Sequence, residues 1–397
     1  MIANIVHISL NARGGGERLA VATIKAISSM GIDVDLSTLE RPDMQLIHDA
    51  YGTSLEADLK RIRTLNILQE CHSRKYSLTV NTHGDILPFY RKDFTRENAI
   101  TYCHYPIAGY LIDCDDPDYS VVLQNLCLLG MPPAVRNGYC DMVRSTYVKM
   151  MLNSTVLTNS EFSRKAIFKT FGIDSIVLPP PVEVDMFSNA CLASEARDDS
   201  LLVISRFHPS KKIENAIHLA KLLRQNETGV CMNIVGNMPP DGIGYYSYLN
   251  DLVKHYDLED FIRFEINLRF DRMLDLMSRS KVYIHPLPGE PFGMSTMEAM
   301  SAGIIPVVPD IGGHTEFVPA KYQFHTYGQG VEAVARALSA PASERIKLSQ
   351  STRKYSVTNY IKKFQQKIAE VRDMGTKPLE SKPVITLSKR LPESMGT

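Results

Sequence analysis

The sequence predicts an α/β protein made of two doubly wound, Rossmann-like domains in series with a cleft between them. Three observations support this fold class: a length of 397 residues, an alternation of short apolar strands with amphipathic helices, and a proline-rich break near the middle of the chain. At roughly 150 residues per domain, the length suits two or three domains. Apolar residues make up 44% and charged residues 22%, which is ordinary globular usage and excludes a disordered or coiled-coil chain.

The first half begins with a strand, a glycine turn and a helix. An apolar run at 2–10 precedes three glycines at 14–16, and the helical pattern that follows carries Ala20 and Ile27 on its apolar face. Ser160 is the expected N-cap of a later helix. Further strand signals lie between helical patterns, at 33–37, 77–82, 99–103 and 155–158. This alternation indicates a parallel sheet that is covered by helices on both faces.

A run of three prolines after Leu178 interrupts the alternation, because successive prolines continue neither a helix nor a central strand. We therefore predict a first domain over 1–180, a linker over 181–199 and a second domain over 200–355. Within the second domain, strands are predicted at 201–205, 230–235, 261–264, 281–285 and 304–308, with helices at 211–223, 245–256, 271–278 and 294–302. A last apolar stripe predicts a C-terminal helix over 356–372 that packs back on the first domain, followed by a flexible tail over 373–397.

Charge and cysteine content narrow the function classes. Lys plus Arg and Asp plus Glu each number 44, so the net charge is zero and a general nucleic-acid binder is excluded. The seven cysteines form no CxxC pair, which argues against a disulfide framework or a zinc site and favours a reducing cytoplasm. Neither a signal-peptide pattern nor an uninterrupted apolar stretch of about 18 residues is present in the sequence. We expect a soluble cytoplasmic protein, or one at the cytoplasmic face of a membrane.

A glycine turn follows the first predicted strand of the first domain, and two cations follow the first predicted strand of the second domain. The turn at 14–16 can let backbone amides and a helix N-terminus approach an anion, although such a turn is equally often structural. Arg206 ends the first strand of the second domain, and Lys211 begins the next helix. Their charges could converge on one phosphate group, and the alternative is a pair of solvated surface cations.

The most informative segment opens the predicted helix at Met294. Glu290 lies in the loop that leaves a strand, Phe292 and Gly293 turn the chain, and Glu298 lies about one turn into the helix. The free amides of a helix start can receive phosphate or sugar oxygens, and carboxylates accept hydrogen bonds from sugar hydroxyls. The segment therefore suits a ligand that carries both phosphate and hydroxyl groups. The alternative is that both glutamates only cap and solvate the helix.

Three further features have competing interpretations. His104 ends a strand of the first domain, where a histidine can be structural or catalytic. Asp116 and Asp118 resemble a metal-binding pair, but the proline between them favours a solvated turn, and no metal site is predicted. The apolar stretch 121–135, near Arg136 and Arg144, suits either a buried helix or a segment that dips into a membrane interface.

Taken together, these residues resemble the retaining glycosyltransferases of the GT-B fold, in glycosyltransferase family 4, which uses nucleotide-sugar donors. The resemblance covers roughly residues 2 to 370. Its marks are Gly14-Gly15-Gly16-Glu17-Arg18, Ser205-Arg206 with Lys211, Glu290 and Glu298 around Phe292-Gly293, and Gly312-Gly313 with Glu316. Within this family the chain is most similar to the eukaryotic GDP-mannose-dependent α-1,2-mannosyltransferases that extend the dolichol-linked oligosaccharide. The stretches His104-Tyr-Pro, Asn159-Ser160 and Phe264 to Asp271 add to that similarity.

The resemblance implies a donor site that both domains share. Gly15 and Gly16 would approach the donor diphosphate, Arg206 and Lys211 would neutralise it, and Glu298 would hold the ribose diol. His104 would lie beside the reacting carbon. The transferred sugar and its phosphate would be faced by Glu290 and by the backbone at Phe292, Gly293, Met294 and Ser295. The catalytic residues that the resemblance implies are His104, Glu290, Arg206 and Lys211.

The predicted function is that of a retaining hexosyltransferase that moves mannose from GDP-mannose to a glycan or lipid-linked glycan acceptor. The predicted partners are the nucleotide sugar, this acceptor and a membrane surface, without nucleic acid. No cofactor and no metal are expected, because two cations and a helix start already supply positive charge to the leaving diphosphate. The alternatives are transfer from another nucleotide sugar, such as UDP-glucose, to a soluble acceptor, and a catalytically silent GT-B regulatory subunit.

Overall fold

The computed structural model describes residues 1–11, 14–65, 76–84, 95–106, 148–191, 197–226 and 230–374, and the elements below are numbered within them. The first domain is built on a parallel sheet of seven strands. These strands are β1 (Ile2–Val6), β2 (Asp33–Thr38), β3 (Leu59–Thr64), β4 (Leu78–Asn81), β5 (Ala99–Cys103), β6 (Thr155–Thr158) and β7 (Ile176–Val177). They lie in the order β3-β2-β1-β4-β5-β6-β7. The chain order reverses between β1 and β4, and this is where open parallel sheets bind ligands beyond their carboxyl ends.

The helices of the first domain include α1 (Gly15–Ser28), α2 (Met44–Tyr51) and α3 (Glu161–Phe171). The apolar face of α1 packs against β1, β2 and β4 in the first-domain core. Ser160 is the N-cap of α3, as predicted, and its side chain accepts a hydrogen bond from the backbone of Ser163 at 3.0 Å. Strand β3 is not predicted from the sequence; it carries two arginines and a lysine and is largely exposed. Charged residues are typical of an edge strand because they discourage pairing with other chains, so β3 lacks the apolar run that identified its neighbours.

The second domain repeats the architecture with a parallel sheet of six strands. Its strands are β8 (Asp198–Ile204), β9 (Cys231–Gly236), β10 (Ile262–Ile266), β11 (Ser280–Ile284), β12 (Ile305–Pro309) and β13 (Gln323–Phe324). Their order is β10-β9-β8-β11-β12-β13, so the reversal falls between β8 and β11. The helices are α4 (Val184–Cys191), α5 (Glu214–Asn226), α6 (Ile243–His255), α7 (Phe270–Arg279), α8 (Met294–Ser301), α9 (Tyr327–Leu338) and α10 (Ala342–Ser351).

The segment 181–199, predicted as a linker, has structure of its own. It contains α4, and Phe187 of this helix is 1% exposed in an apolar cluster with Leu202 and Tyr283 of the second domain. Strand β8 also begins at Asp198, inside the predicted linker. The prolines at 179–181 end the first domain's alternation, but the chain that follows them is already part of the second domain's core.

A long C-terminal helix, α11 (Val357–Met374), returns to the first domain. Phe364, Ile368 and Val371 are buried in the first-domain core. The hydroxyl oxygens of Tyr360 and Thr23 lie 2.8 Å apart. The helix predicted over 356–372 is therefore present and occupies the expected face. Residues 375–397, the greater part of the predicted tail, lie outside the described residues.

Candidate functional site

The glycine turn at the end of the first strand is held by Glu17. Its Oε2 atom accepts a hydrogen bond from the Gly14 backbone at 2.7 Å, and its Oε1 atom lies 3.5 Å from Nε2 of His7. Burial alone would raise the pKa of the Glu17 carboxyl, but the neighbouring His7 ring together with two backbone N–H groups brings that pKa below its usual range. The carboxylate therefore stays ionised at neutral pH and fixes the start of α1.

Gly15 and Gly16 touch the two other parts of the predicted site. A Cβ atom on Gly15 would lie 3.3 Å from Cγ of Met294, at the start of α8 in the second domain. A Cβ atom on Gly16 would lie 3.8 Å from Nε2 of His104 and 3.8 Å from Cε1 of His7. A side chain on Gly15 would press on Met294, whereas a Cβ atom on Gly16 would make ordinary van der Waals contact with the two histidines. The turn thus joins the predicted catalytic histidine to the predicted phosphate-binding helix.

His104 follows β5 directly, and its ring is oriented by the first domain. Nε2 lies 3.0 Å from the carbonyl oxygen of Thr82. Burial, helped by the charge of His7, lowers the pKa of His104 more than the Thr82 carbonyl and Glu17 raise it. The ring is therefore neutral at pH 7, and because a carbonyl can only accept, Nε2 carries the proton and Nδ1 is left as an acceptor.

Two histidines that were not predicted as site residues lie beside His104. His7 is fully buried, with Nδ1 at 3.0 Å from Oγ1 of Thr82, and its ring centroid lies 4.9 Å from that of His83. Burial is the main cause that lowers the pKa of His83 to about 4. His7 lies just after β1 and His83 just after β4. A position at the end of a parallel strand is also what identified His104 from the sequence.

Lys211 and Glu290, both predicted site residues of the second domain, form an ion pair. Nζ of Lys211 lies 3.3 Å from Oε2 of Glu290, and the two side chains are 31% and 16% exposed. His285, at the end of β11, places Nε2 at 3.6 Å from the same oxygen. Although burial alone would raise it, the pKa of Glu290 lies well below its usual range because Lys211 and His285 favour the carboxylate.

A buried polar chain connects this carboxylate to the start of α8. Nδ1 of His285 lies 3.1 Å from the hydroxyl of Tyr283, and that hydroxyl lies 2.7 Å from Oγ of Ser295. Tyr283 is fully buried. Ser295, predicted to bind the donor through its amide, therefore also fixes the side chains behind Glu290.

The start of α8 depends on a glycine in the left-handed region. Gly293 has a φ of +94°, and a Cβ atom there would lie 3.1 Å from Oγ1 of Thr296 and 3.2 Å from Cβ of His314. The Phe292 side chain is 4% exposed and packs against Phe317 at 5.3 Å between ring centroids. Phe292 can therefore contribute to a ligand site only through its backbone, as predicted for the amides of this turn.

Arg206 differs from the other charged residues of the predicted site in having no ion-pair partner among the residues that the structure describes. Its side chain is exposed and has no carboxylate partner within the described ranges. Its backbone is placed by Gly236, since a Cβ atom on Gly236 would lie only 1.7 Å from the carbonyl oxygen of Ser205. The structure thus brings Lys211 and Glu290 together and leaves the Arg206 guanidinium available to an external anion.

Glu298 contacts the opposite domain. Its Oε1 atom accepts a hydrogen bond from Nη1 of Arg18, in α1, at 2.5 Å, and the side chains are 13% and 17% exposed. Arg18 also lies over the Tyr51 ring, with Cζ at 5.9 Å from its centroid. The family resemblance implies that Glu298 binds ribose, and nothing in the sequence indicates that Arg18 is its partner.

A second set of contacts joins the domains next to Glu290. The Ser160 hydroxyl donates to the carbonyl oxygen of Pro291 at 2.6 Å. The Glu316 carboxylate accepts from the backbone of Phe162 at 2.8 Å and of Glu161 at 3.2 Å, so it caps the first turn of α3 from the other domain. Glu316, one of the residues that carry the family resemblance, therefore has an interdomain role.

Several sequence features lie outside the described residues: Asp116, Asp118, the apolar stretch 121–135, Arg136 and Arg144. Within the described ranges, the structure places no group of three or more His, Cys, Asp and Glu side chains where they could hold a metal ion. Among the helices that the structure describes, none has the length and apolarity that crossing a membrane requires.

Comparisons with known proteins agree with this architecture. Residues 191–356 match the family described as "Glycosyl transferases group 1". The chain is 26% identical over 215 residues to "GDP-Man:Man(3)GlcNAc(2)-PP-Dol alpha-1,2-mannosyltransferase" of Dictyostelium discoideum, covering 49% of this chain and 42% of that protein. It is 23% identical over 321 residues to the protein of the same name in Neurospora crassa, covering 71% and 58%. The chain thus spans about half the length of these curated relatives.

The solved structures give the fold. Sucrose-phosphate synthase from Thermosynechococcus elongatus superimposes with a TM-score of 0.65 at 16% sequence identity, covering 95% of this chain and 99% of that one. This likeness and the two parallel sheets in series confirm the predicted GT-B fold.

Proposed function

We propose that this chain, whose residues 191–356 belong to the glycosyl transferases group 1 family, is a retaining glycosyltransferase that moves mannose from GDP-mannose to a glycan or lipid-linked glycan. The names of the two relatives support the donor and the class of acceptor, since both are GDP-mannose-dependent mannosyltransferases that act on a dolichol diphosphate glycan. The fold supports the reaction class, because nucleotide-binding crevices form at the carboxyl ends of parallel strands.

The main support for the proposal is that three features lie close together. They are the Lys211–Glu290 pair, the start of α8 and the glycine turn of the first domain. Lys211 lies 3.3 Å from Glu290, and Gly15 packs against Met294, the first residue of α8. A helix N-terminus and a lysine favour an anion at this place. The glycine turn adds backbone amides from the opposite domain. Together they suit a diphosphate bound between the domains.

In the proposed reaction, the bond between the anomeric carbon and the donor phosphate oxygen breaks, the acceptor hydroxyl oxygen forms the new bond to that carbon, and the hydroxyl proton passes to the leaving phosphate. Negative charge grows on the leaving diphosphate as the bond breaks. Lys211, Arg206 and the first amides of α8 would stabilise that charge, and groups oriented before the reaction need no reorganisation. Lys211 would then exchange part of its interaction with Glu290 for the diphosphate, which leaves the Glu290 carboxylate available to sugar hydroxyls.

His104 would act as a neutral group beside the reacting carbon. Its pKa is lowered by burial, and its Nε2 proton is committed to the Thr82 carbonyl. The remaining nitrogen, Nδ1, can accept a hydrogen bond from a sugar hydroxyl. A neutral ring also avoids repulsion of the positive charge that develops on the anomeric carbon during transfer.

We further propose that the acceptor is lipid-linked and that the protein works at the cytoplasmic face of a membrane. The dolichol in the names of the relatives supports a lipid acceptor, and the stretch 121–135 supplies apolar residues beside Arg136 and Arg144. Flotation with anionic liposomes tests this proposal. Wild type is expected to float at low salt, and replacing Leu128 and Leu129 by serine should abolish flotation in a folded protein. A wild type that stays soluble contradicts membrane attachment.

A donor panel tests the reaction. Purified protein is incubated with GDP-mannose, UDP-glucose and ADP-glucose, with and without Man(3)GlcNAc(2) linked to a lipid diphosphate, and release of each nucleoside diphosphate is measured. We expect GDP release from GDP-mannose that depends on the acceptor and on Lys211. Digestion of the product by α-mannosidase should remove the added mannose, because retention gives an α linkage. Release of UDP alone would replace GDP-mannose as donor, and turnover with none of the three would overturn the enzymatic function.

A further inference from the structure

Arg18 has no role in the proposed reaction, yet it makes a hydrogen bond from the first domain to the predicted donor site in the second. It lies in the first turn of α1, next to Glu17. Its Nη1 atom lies 2.5 Å from Oε1 of Glu298, a residue 280 positions further along the chain. Both side chains are mostly buried, at 17% and 13% exposed. The pair therefore differs from the exposed ion pairs of the molecular surface, which contribute little to stability.

The contact uses only one atom of each group. Oε2 of Glu298 accepts no hydrogen bond from any residue that the structure describes, and Nε of Arg18 is buried without a partner. Pairs of an arginine and a carboxylate frequently form two parallel hydrogen bonds. Here the Glu298 carboxylate is fixed through Oε1 while Oε2 is available. A carboxylate oxygen of this kind can accept hydrogen bonds from the hydroxyl groups of a ligand.

Arg18 is also the cation between two acidic side chains. Glu183, at the start of the second domain, interacts electrostatically with both Arg18 and Glu298. Burial raises the pKa of Glu183, the charges of Asp185 and Glu298 act in the same direction, and Arg18 opposes them. Without Arg18, two partly buried carboxylates would face each other with no cation between them. Glu298 would then lose the contact that fixes its position, because an unpaired buried charge is strongly unfavourable.

We propose that Arg18 is a positioning residue for the nucleotide: it holds Glu298 by Oε1 so that Oε2 can accept hydrogen bonds from the ribose hydroxyls. This inference rests on the proposed nucleotide-sugar function. Since Arg18 and Glu298 belong to different domains, the ribose is bound well only when the two domains are in contact.

Binding of GDP and UDP, and of their 2′,3′-dideoxy forms, tests the proposal by calorimetry on the full chain. For wild type, we expect the dideoxy form of the preferred nucleotide to bind about tenfold or more weakly, because hydrogen bonds to a charged group are lost. For Arg18→Ala, the ribose nucleotide should bind as weakly as its dideoxy form, so that the ratio of the two dissociation constants falls to about one. Affinity for the dideoxy form should stay near that of wild type.

Two more variants separate positioning from general damage to the fold. Lys25→Ala removes a cation from the same helix, where Lys25 pairs with Asp58 at 3.4 Å within the first domain, and it should keep the wild-type ratio. Arg18→Lys keeps the charge but has a single donor group in place of the planar fork, and it should give an intermediate ratio. If Arg18→Ala does not fold, the ratio of dissociation constants measured for Arg18→Lys tests the proposal in its place.

The outcomes distinguish this inference from the proposed function. A folded Arg18→Ala or Arg18→Lys variant that keeps the full wild-type ratio overturns the role of Arg18 and leaves the proposed function standing. A wild type that binds ribose and dideoxy nucleotides equally overturns the role of the Glu298–Arg18 pair but leaves nucleotide binding intact. A wild type that binds neither GDP nor UDP overturns both.

Discussion

Nζ of Lys211 lies 3.3 Å from Oε2 of Glu290, whereas the Arg206 side chain is exposed and has no carboxylate partner in the described parts of the chain. The two cations predicted to serve one diphosphate therefore start from different surroundings. Lys211 is held by a carboxylate whose charge it balances. Arg206 can move to a ligand without leaving a buried group unpaired.

Lys211→Ala and Arg206→Ala are each expected to lower kcat about a hundredfold or more, or ~3 kcal/mol, because charge on the leaving diphosphate grows in the transition state. The measurement is kcat at saturating donor. Lys211→Ala should also reduce the free energy of unfolding, since it leaves Glu290 partly buried without its cation, and Arg206→Ala should not. Near-normal kcat in both variants would contradict the assignment of these residues to the leaving group.

Activity is expected to survive complete removal of divalent metal ions. Two cations and a helix N-terminus supply the positive charge that a metal ion provides in other transferases. The measurement is turnover after exhaustive treatment with EDTA, with magnesium or manganese added back. An enzyme that is inactive when chelated and recovers only with one of these ions would instead implicate Asp116 and Asp118.

Gly293→Ala is expected to lower both stability and activity. With φ at +94°, an alanine costs about 1–2 kcal/mol in backbone strain, and its Cβ would press on Thr296 and His314, which shifts the start of α8. Gly172→Ala is the matched control, because its φ is +68° and nothing lies within 4 Å of the added Cβ. Both variants should lose stability in urea denaturation. Only Gly293→Ala should lose activity, about tenfold or more. Equal activity in the two variants would contradict this prediction.

Stability is expected to fall as the pH is lowered below about 6.5, partly through His314. Burial, aided by the charge of His285, lowers the pKa of His314 to about 4, while the unfolded chain takes up this proton near 6.5. The unfolded state thus binds more protons between these values, and His314 contributes a loss of about 2 kcal/mol between pH 7.5 and 5. Urea denaturation of wild type and of His314→Gln at pH 7.5 and pH 5 measures this loss of the free energy of unfolding.

The control for that experiment is His325→Gln, at a side chain that is 77% exposed. It should keep the full pH dependence of wild type, and His314→Gln should show a smaller one. If His314→Gln and wild type lose the same free energy between pH 7.5 and 5, the burial of a neutral His314 is not a cause of acid sensitivity.

The sequence alone predicts elements whose apolar residues repeat with a clear period. Strand β5 matches its predicted bounds because all five residues are buried, and such a central strand reads as one apolar run. The exposed edge strand β3 has no such run. Helix α4 was hidden by the prolines before it, which mark the end of a domain but do not exclude a helix a few residues later.

The candidate site was predictable where strand ends point to it and not where partners are far apart in the chain. His104, Lys211 and Glu290 follow strands or lie in loops that leave them, and parallel strands bring those ends to one edge. The partner of Glu298 could not be predicted, because no local pattern relates it to Arg18, 280 positions away. The same holds for Glu316, which caps α3 of the other domain.

The packing of α11 on α1 has a consequence for the order in which the protein acquires its structure during synthesis. Thr23 and Tyr360 meet across 337 positions of chain. At about 5–20 residues per second, the ribosome needs roughly 20–70 s to produce Tyr360 after Thr23. Throughout this time the surface of α1 that α11 later covers is open to solvent and to other nascent chains. The core around α1 is therefore completed only after the whole second domain has been synthesised, although α1 itself precedes that domain in the chain.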